Sequence, residues 1–221
     1  PVDDGLFVGI PSLPPPGRAS IRLDPVTAAD FRIPARTGPS PVIGVVPGSI
    51  VTEALACVLP SVGGERRADP AHGLHKLTVL ARHGANRNVG RAFVRGFGFR
   101  AGALASSVGH DSHNVIVVGA DDADMAAAVN RLIALEGGFV AVVHGRVVGE
   151  LALPIAGLLS DRPFPEVRDA LRSLRAAVRA MGCPLEEPFL QLAFLPLPVI
   201  PHLKLTDCGL VDVDRFELIP S

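Results

Sequence analysis

The feature that most constrains this chain is a dense polar stretch between two apolar runs. Residues 103–108 and 115–119 are rich in the small and β-branched side chains that suit strands. Between them lie His110, Asp111, Ser112, His113 and Asn114. Because this stretch is too short to form an element of its own, it joins neighbouring strands and gathers its polar side chains at one end of a sheet. Functional sites tend to lie on such loops, where rigid strands fix polar groups.

Hydrophobic periodicity in the rest of the chain predicts an α+β fold, with a mixed or antiparallel β-sheet flanked by helices and an extended Pro-rich N-terminal arm. Apolar side chains recur at helical intervals over residues 122–136 and 165–181, which predicts two amphipathic helices. His144 and Gly145 form a turn pair of the Asn-Gly kind between two apolar runs, and they predict a hairpin. Strands in hairpins with interposed helices are typical of this fold class.

The N-terminal arm comprises residues 1–41, which carry an unusual share of the 21 prolines. Proline removes a ladder donor and fixes φ, so this segment makes a poor core by itself. We expect it to be extended and packed on another part of the protein. The chain begins at Pro1 instead of Met, and we expect it to be a fragment of a longer protein.

Local signals add detail at the helix ends and in two further segments. Asp121 is placed to cap the first helix, and Ser160 with Asp161 is placed to cap the second. Residues 189–195 alternate in a way that predicts a strand. The glycine-rich residues 96–102 lack the spacing of a phosphate-binding loop. They predict close backbone packing instead.

Charge and cysteine content argue against several classes of function. The net charge of -1 gives no electrostatic reason to expect nucleic acid or an anionic membrane as a partner. Ten Phe without Trp or Tyr argue against a base-stacking surface. Cys57, Cys183 and Cys208 are far apart, which fits a reducing, cytoplasmic compartment. No apolar run approaches the roughly 20 residues that span a bilayer.

The polar loop leaves more than one kind of chemistry open. His110, Asp111 and His113 are residue types that bind Zn, Mn or Fe, but one loop supplies at most three ligands. The alternative is structural, because Asp, Ser and Asn also bond backbone amides in turns. The HxE and PCxxC pair of the cytidine-type zinc deaminases is missing. His72 and His75 fall in a predicted loop, and we expect both to be solvated.

Several segments follow one another in an order that a known family shares. They are DFRI (30–33), VIGVVPG (42–48), GFGF (96–99), HDSHN (110–114), LPIAGLLSD (153–161) and PVIPHLKLTDC (198–208). In this combination the chain resembles the C-terminal domain of the bacterial adenine deaminases, metal-dependent enzymes of the amidohydrolase superfamily. One run departs from the family pattern, since Arg82-His83-Gly84-Ala85 stands where the family commonly has Arg-His-His-Gly.

The resemblance implies that this chain is one part of a longer enzyme whose domains have different roles. Residues 1–29 would be the end of a small β-sandwich with a Pro-rich linker, and residues 30–221 would be the C-terminal domain. An upstream barrel would hold a divalent metal (Mn, Fe or Zn), whereas this segment would hold none. The whole enzyme would use a metal-activated water to convert adenine to hypoxanthine and ammonia in purine salvage. The expected partners are the barrel and sandwich, adenine and further copies in a homo-oligomer.

In that arrangement the polar loop would close over the purine pocket. His110, Asp111 and His113 would be the active-site contacts. Ser112 and Asn114 would bind substrate, with Asn114 mainly fixing the loop. The alternative is a non-catalytic module that stabilises the barrel or forms an oligomer interface without touching substrate. A third interpretation makes the chain a stand-alone metal hydrolase built on the loop, with His83 as a further ligand.

Overall fold

The structure is a computed structural model that describes residues 2–3, 6–7 and 17–220. The helices are α1 (Asp122–Ala134), α2 (Phe164–Ala180) and α3 (Pro188–Ala193). The strands, in chain order, are β1 (Val2–Asp3), β2 (Leu6–Phe7), β3 (Ile33–Pro34), β4 (Ser40–Val45), β5 (Thr52–Cys57), β6 (Ser61–Val62), β7 (Glu65–Arg66), β8 (Leu74–Leu80), β9 (Val89–Arg95), β10 (Ala103–Ser106), β11 (Val115–Gly119), β12 (Gly138–Val143), β13 (Arg146–Ala152), β14 (Leu203–Thr206), β15 (Gly209–Asp212) and β16 (Glu217–Ile219). Among the described residues, no helix is long and apolar enough to cross a membrane.

An eight-stranded sheet organises the fold, in the order β13-β12-β10-β11-β8-β9-β4-β5. Its neighbouring pairs are antiparallel, with the exception of β4 and β9, which run parallel. Smaller sheets follow the orders β3-β7-β6, β14-β15-β16 and β1-β2. The predicted α+β class with a mixed sheet is confirmed. The middle of the predicted Pro-rich arm, residues 8–16, lies outside the described residues, so the extended arm stays a prediction.

Helices cover both faces of β10 and β11, which explains why these two strands are apolar apart from Ser106 at the end of β10. On β10 and β11, Leu104 and Ile116 pack in one cluster with Leu174 of α2. The neighbouring Val117 points to the other face and packs with Met125 of α1. Side chains alternate between the faces of a strand, so a strand buried on both faces needs apolar residues at every position.

The two long helices begin in different ways, and only the first begins as predicted. The Asp121 carboxylate caps α1 by accepting a hydrogen bond from the Asp124 amide at 2.8 Å. The prediction that Ser160 and Asp161 cap α2 is wrong. The N-cap of α2 is Pro163, without a side-chain cap. Ser160 instead accepts from the Arg162 amide at 3.1 Å, and Asp161 pairs with Arg18. Both side chains lie too far upstream to reach the free amides of the helix.

The predicted strand at residues 189–195 is also wrong, because Pro188–Ala193 forms α3. Phe189, Leu192 and Ala193 are buried, whereas Leu190 is exposed. This spacing of three and four places one apolar face inward, as in a helix. Pro188 favours the helix because its fixed φ suits the first helical position, where no amide bond is required.

Close backbone packing at residues 96–102, predicted from the glycines, is confirmed. Gly96 adopts φ +127°, and a Cβ there would lie 2.8 Å from the Val45 Cβ. Gly102 adopts φ +98°, and a Cβ there would lie 2.3 Å from the Val142 carbonyl oxygen. Other residues carry a Cβ that would clash at both positions, and the positive φ adds strain.

His75 is fully buried, so the prediction that it is solvated is wrong. It lies on β8 near the middle of the sheet, where both faces are covered. Its Nε2 lies 2.7 Å from the Phe99 carbonyl oxygen, and burial lowers the pKa of the imidazole. His72 lies just before β8 and is exposed as predicted. Its Nδ1 lies 2.7 Å from a carboxylate oxygen of Asp69.

Lys204 on β14 is a fully buried cation without a carboxylate partner among the described residues. Its Nζ donates to the Ile50 carbonyl at 2.7 Å and to the Phe194 carbonyl at 3.2 Å. Burial lowers the pKa of Lys204 from 10.5 to about 8. The folded protein therefore binds fewer protons than the unfolded chain between these two pH values.

We predict that Lys204→Met abolishes a pH-dependent part of the stability. In the wild-type chain, the free energy of unfolding rises with pH between about 8 and 10.5, by up to about 3 kcal/mol from this group. The Met variant lacks this rise because it has no group to titrate. Urea unfolding of both proteins at pH 7, 9 and 10 measures the difference. Parallel pH profiles would contradict the prediction.

Candidate functional site

The polar loop lies where two central strands of the large sheet end. β10 and β11 pair antiparallel, with Ser106 opposite Ile116, and residues 107–114 connect them. The segment after β8, the end of α3 and the turn between β14 and β15 all reach the same edge through hydrogen bonds to this loop. The sequence-based placement of the polar cluster at the end of a sheet is therefore confirmed.

His110 presents an exposed imidazole on a fixed support. Its ring stacks on Phe194 with centroids 5.5 Å apart and an angle of 18° between planes. Its amide donates to the Ala193 carbonyl at 2.8 Å, and its Nδ1 lies 2.8 Å from an Asp111 carboxylate oxygen. Asp111 itself is exposed, as is Ser112. The end of α3 thus orients His110 while its ring edge stays open to solvent.

His113 is half-buried and sits at the inner side of the loop. Its amide donates to the Gly109 carbonyl at 2.6 Å, and its ring lies 6.5 Å from that of His110. Burial lowers the pKa of His113, and the positive charges of Arg82 and His110 lower it further, while Asp111 opposes them. The imidazole is therefore neutral at pH 7, with one donor and one acceptor nitrogen, and its Nδ1 is buried without a hydrogen-bond partner among the described residues.

Arg82 connects the loop to two distant parts of the chain. This buried guanidinium donates from Nη1 to the Ser20 carbonyl and hydroxyl at 3.2 and 2.9 Å, and from Nη2 to the Ala156 carbonyl at 2.9 Å. Its Nε donates to the His113 carbonyl. Within the described part of the chain, no carboxylate pairs with it. Arg82 therefore fixes the loop backbone and keeps an uncompensated positive charge beside His113.

Asn114 is buried and points into the protein. Its Oδ1 accepts from the Arg82 amide at 3.3 Å, and its Nδ2 donates to the Asp207 carboxylate at 3.1 Å. The Ser112 carbonyl lies 2.7 Å from Nε2 of the exposed His83. Of the five candidate residues, four therefore reach solvent at least in part, whereas Asn114 anchors the loop from inside.

The loop does not fit a metal ion. Over the described residues, no three His, Cys, Asp or Glu side chains converge as a possible metal site. His110 and Asp111 lie 2.8 Å apart, but no third His, Cys, Asp or Glu side chain of the described residues converges on this pair. We therefore treat these side chains as hydrogen-bonding groups.

Sequence reasoning missed the residues that support the loop, namely Arg82, Phe194 and Asp207. Arg82 was available as a signal, because it directly follows a buried apolar run. Phe194 was hidden by the wrong strand prediction for its segment. Asp207 gives no local signal, since its link to Asn114 spans 93 residues.

Comparison with known proteins identifies relatives of nearly the whole chain. Residues 49–217 match the family described as the adenine deaminase C-terminal domain. An adenine deaminase of Methylobacterium nodulans is 61% identical over 219 residues, which is 99% of this chain and 39% of that protein. An adenine deaminase of Cereibacter sphaeroides is 57% identical over 221 residues, again 99% of this chain and 39% of that protein. The chain therefore spans less than half the length of the curated relatives that it matches.

The first prediction for the site concerns the charge of Arg82. Replacing Arg82→Gln removes a positive charge that lowers the pKa of His113, so this pKa should rise. Arg82→Lys keeps the charge and should leave the pKa low. Titration of the imidazole signals by NMR measures both values. Arg87→Met, which removes an exposed arginine paired with Asp24, is the control. An unchanged His113 pKa in the Gln variant would contradict the electrostatic role.

The second prediction concerns the anchor of the loop. Asn114→Ala leaves the Arg82 amide and a carboxylate oxygen of Asp207 without their partner, which costs about 1–3 kcal/mol of stability. Ser112→Ala removes an exposed hydroxyl whose one hydrogen bond, from the Asn114 amide, is long at 3.4 Å, and should change stability by less than about 0.5 kcal/mol. Urea unfolding at pH 7 compares the two variants. Equal stabilities would show that Asn114 does not anchor the loop.

Proposed function

This chain belongs to the adenine deaminase C-terminal domain family, and from that premise we propose that it serves as the C-terminal domain of an enzyme that converts adenine and water to hypoxanthine and ammonia. Support comes from the family match over residues 49–217 and from relatives named adenine deaminase. In this proposal residues 30–221 form that domain, and residues 1–29 end a small β-sandwich and link it. The enzyme would act in purine salvage in the cytoplasm, as a homo-oligomer.

The observation that carries the proposal is a rigid loop backbone with solvent-facing polar side chains. Adenine presents an acceptor at N7 and a donor at its exocyclic amine. A neutral imidazole and a carboxylate complement that pair, because the imidazole supplies a donor and the carboxylate accepts. His110, Asp111 and His113 would make the active-site contacts. Ser112 would add a contact to substrate, and Asn114 would fix the loop from below.

In this proposal, the residues of this chain do not hold the metal that the resemblance implies. A divalent ion (Mn, Fe or Zn) held by the upstream barrel would activate the water when bound. The loop residues do not form a metal site, so their part is to bind and orient the purine. Anchoring by Arg82 and Asn114 would keep them in place without ordering on binding, which favours affinity.

A second candidate function is a structural or oligomerisation module that never touches substrate. The specific observation in its favour is a set of large apolar side chains exposed near α3, including Leu190 and Val199. The two candidates differ in whether the polar loop contacts adenine. Variants of the loop separate them.

The decisive experiment uses a hybrid enzyme, in which this chain replaces the matched part of the Methylobacterium nodulans relative. His110→Ala or His113→Ala in the hybrid enzyme should each lower kcat/KM for adenine by about tenfold, the value of one lost ligand contact of about 1.4 kcal/mol. Their melting temperatures should stay unchanged. His72→Ala, which removes an exposed imidazole elsewhere, is the matched control. Wild-type kinetics in both loop variants would favour the structural module.

A companion measurement tests the stand-alone metal hydrolase. The chain by itself should not convert adenine to hypoxanthine when Mn(II), Fe(II) or Zn(II) is supplied in turn, because no metal site is found among its described residues. The hybrid enzyme under the same conditions is the positive control. Metal-dependent turnover by the chain alone would overturn the assignment of a dependent domain.

A further inference from the structure

We infer that an apolar face beside the polar loop is where the rest of a full-length adenine deaminase chain packs. This docking face consists of Ile50, Val51, Leu190, Phe194 and Val199. The inference rests on the proposed function, and it names the partner surface of the same site. It commits to one occupant, namely the part of the relatives' polypeptide that this chain does not match.

Four of the five side chains of the docking face are large, apolar and exposed, and Phe194 is half-buried. Ile50 is 42% exposed, Leu190 is 53% exposed and Val199 is 63% exposed. A groove of about 450 Å³ lies between Ile50 and Leu190. Its other walls are Pro47, Gly48, Pro184, Leu185 and Phe194, with Glu186, Glu187 and Gln191 as polar lining. Contiguous exposed apolar patches of this kind mark interaction sites in proteins.

Hydrogen bonds make the docking face one continuous surface. Lys204 donates to the carbonyls of Ile50 and Phe194, at 2.7 and 3.2 Å, and so ties the two walls of the groove together. The Thr52 amide donates to the Pro201 carbonyl at 2.9 Å. That bond brings the segment of Val51 next to the segment of Val199. The face is therefore preformed.

The docking face is also continuous with the polar loop. Phe194, which lines the groove, carries the stacked ring of His110 on its other side at 5.5 Å between centroids. Polypeptide seated in the groove would thus lie against the His110 side of the loop. The docking face therefore suits a partner that packs on its apolar side chains and places a substrate pocket at the adjoining polar loop.

The share of the relatives' length that this chain matches indicates what occupies the docking face. The match takes in 99% of this chain but only 39% of the Methylobacterium nodulans relative. More than half of that relative's polypeptide lies outside the matched part and is available to cover the docking face. Because the proposed function requires its substrate pocket to meet the polar loop, the apolar surface around the loop is the contact that this geometry demands.

Hydrogen–deuterium exchange in the hybrid enzyme and in the chain alone tests the inference. Amides of residues 47–52 and 188–200 should exchange at least about tenfold more slowly in the hybrid enzyme. The segment of Phe216, an 81% exposed residue in the turn between β15 and β16 and outside the docking face, should exchange alike in both. Equal exchange of the docking face in both proteins would overturn the inference. Concentration-dependent protection in the chain alone would also overturn it, in favour of a second copy.

Variants separate this inference from the proposed function. Leu190→Asp with Val199→Asp should remove the protection in the hybrid enzyme, whereas Phe216→Asp should not. Both changes affect exposed side chains, and unchanged exchange of β10 and β11 verifies that the domain stays folded. His110→Ala should leave the protection intact. If the docking face is protected but the loop variants keep wild-type kinetics, the proposed function is contradicted and the docking face is not. If the loop variants lower kcat/KM but the docking face is not protected, the docking face alone is contradicted.

Discussion

The buried guanidinium of Arg82 is the interaction on which the polar loop depends. Three backbone carbonyls from separate parts of the chain, at Ser20, His113 and Ala156, converge on it. Such groups are costly to bury without donors, and a planar cation with five N–H groups satisfies all three. Because no carboxylate among the described residues neutralises the charge, its field also acts on His113. One side chain thereby fixes the path of the loop and adds to the effect of burial in lowering the pKa of its inner imidazole, His113.

A second, apolar support acts on the other side of the loop. The ring of Phe194 carries His110, and Lys204 ties the Phe194 carbonyl to the strand connection at Ile50. The loop is therefore clamped between a polar network and an apolar wall. Among the described residues of the loop, the side chains of Asp111 and Ser112 lack a comparable anchor, since both are exposed and bond within the loop. The freedom that remains in this site lies in those two side chains.

Sequence periodicity predicted the parts of the fold that depend on neighbouring residues. The strands around the loop, the Asp121 cap and the hairpin at His144 all follow from local pattern. The strand prediction for residues 189–195 was wrong because a short apolar run fits both the two-residue period of a strand and the three-to-four-residue period of a helix. Pro188 was the one local signal that favoured the helix. The supports of the loop could not be predicted, because Arg82 meets Ser20 and Ala156 across 62 and 74 residues. Such contacts exist only after the sheet has formed.

The two supports together explain how a short polar loop is held in one conformation. Polar side chains in a flexible loop would lose conformational entropy on binding, which weakens the affinity for a small ligand. Here the backbone is fixed before binding, and the imidazole of His113 is already neutral. The adjoining docking face would exclude water once polypeptide covers it. The loss of water would strengthen the hydrogen bonds that the loop makes. Under the proposed function, rigid polar contacts beside an apolar docking face would let this domain complete a binding pocket formed mainly elsewhere.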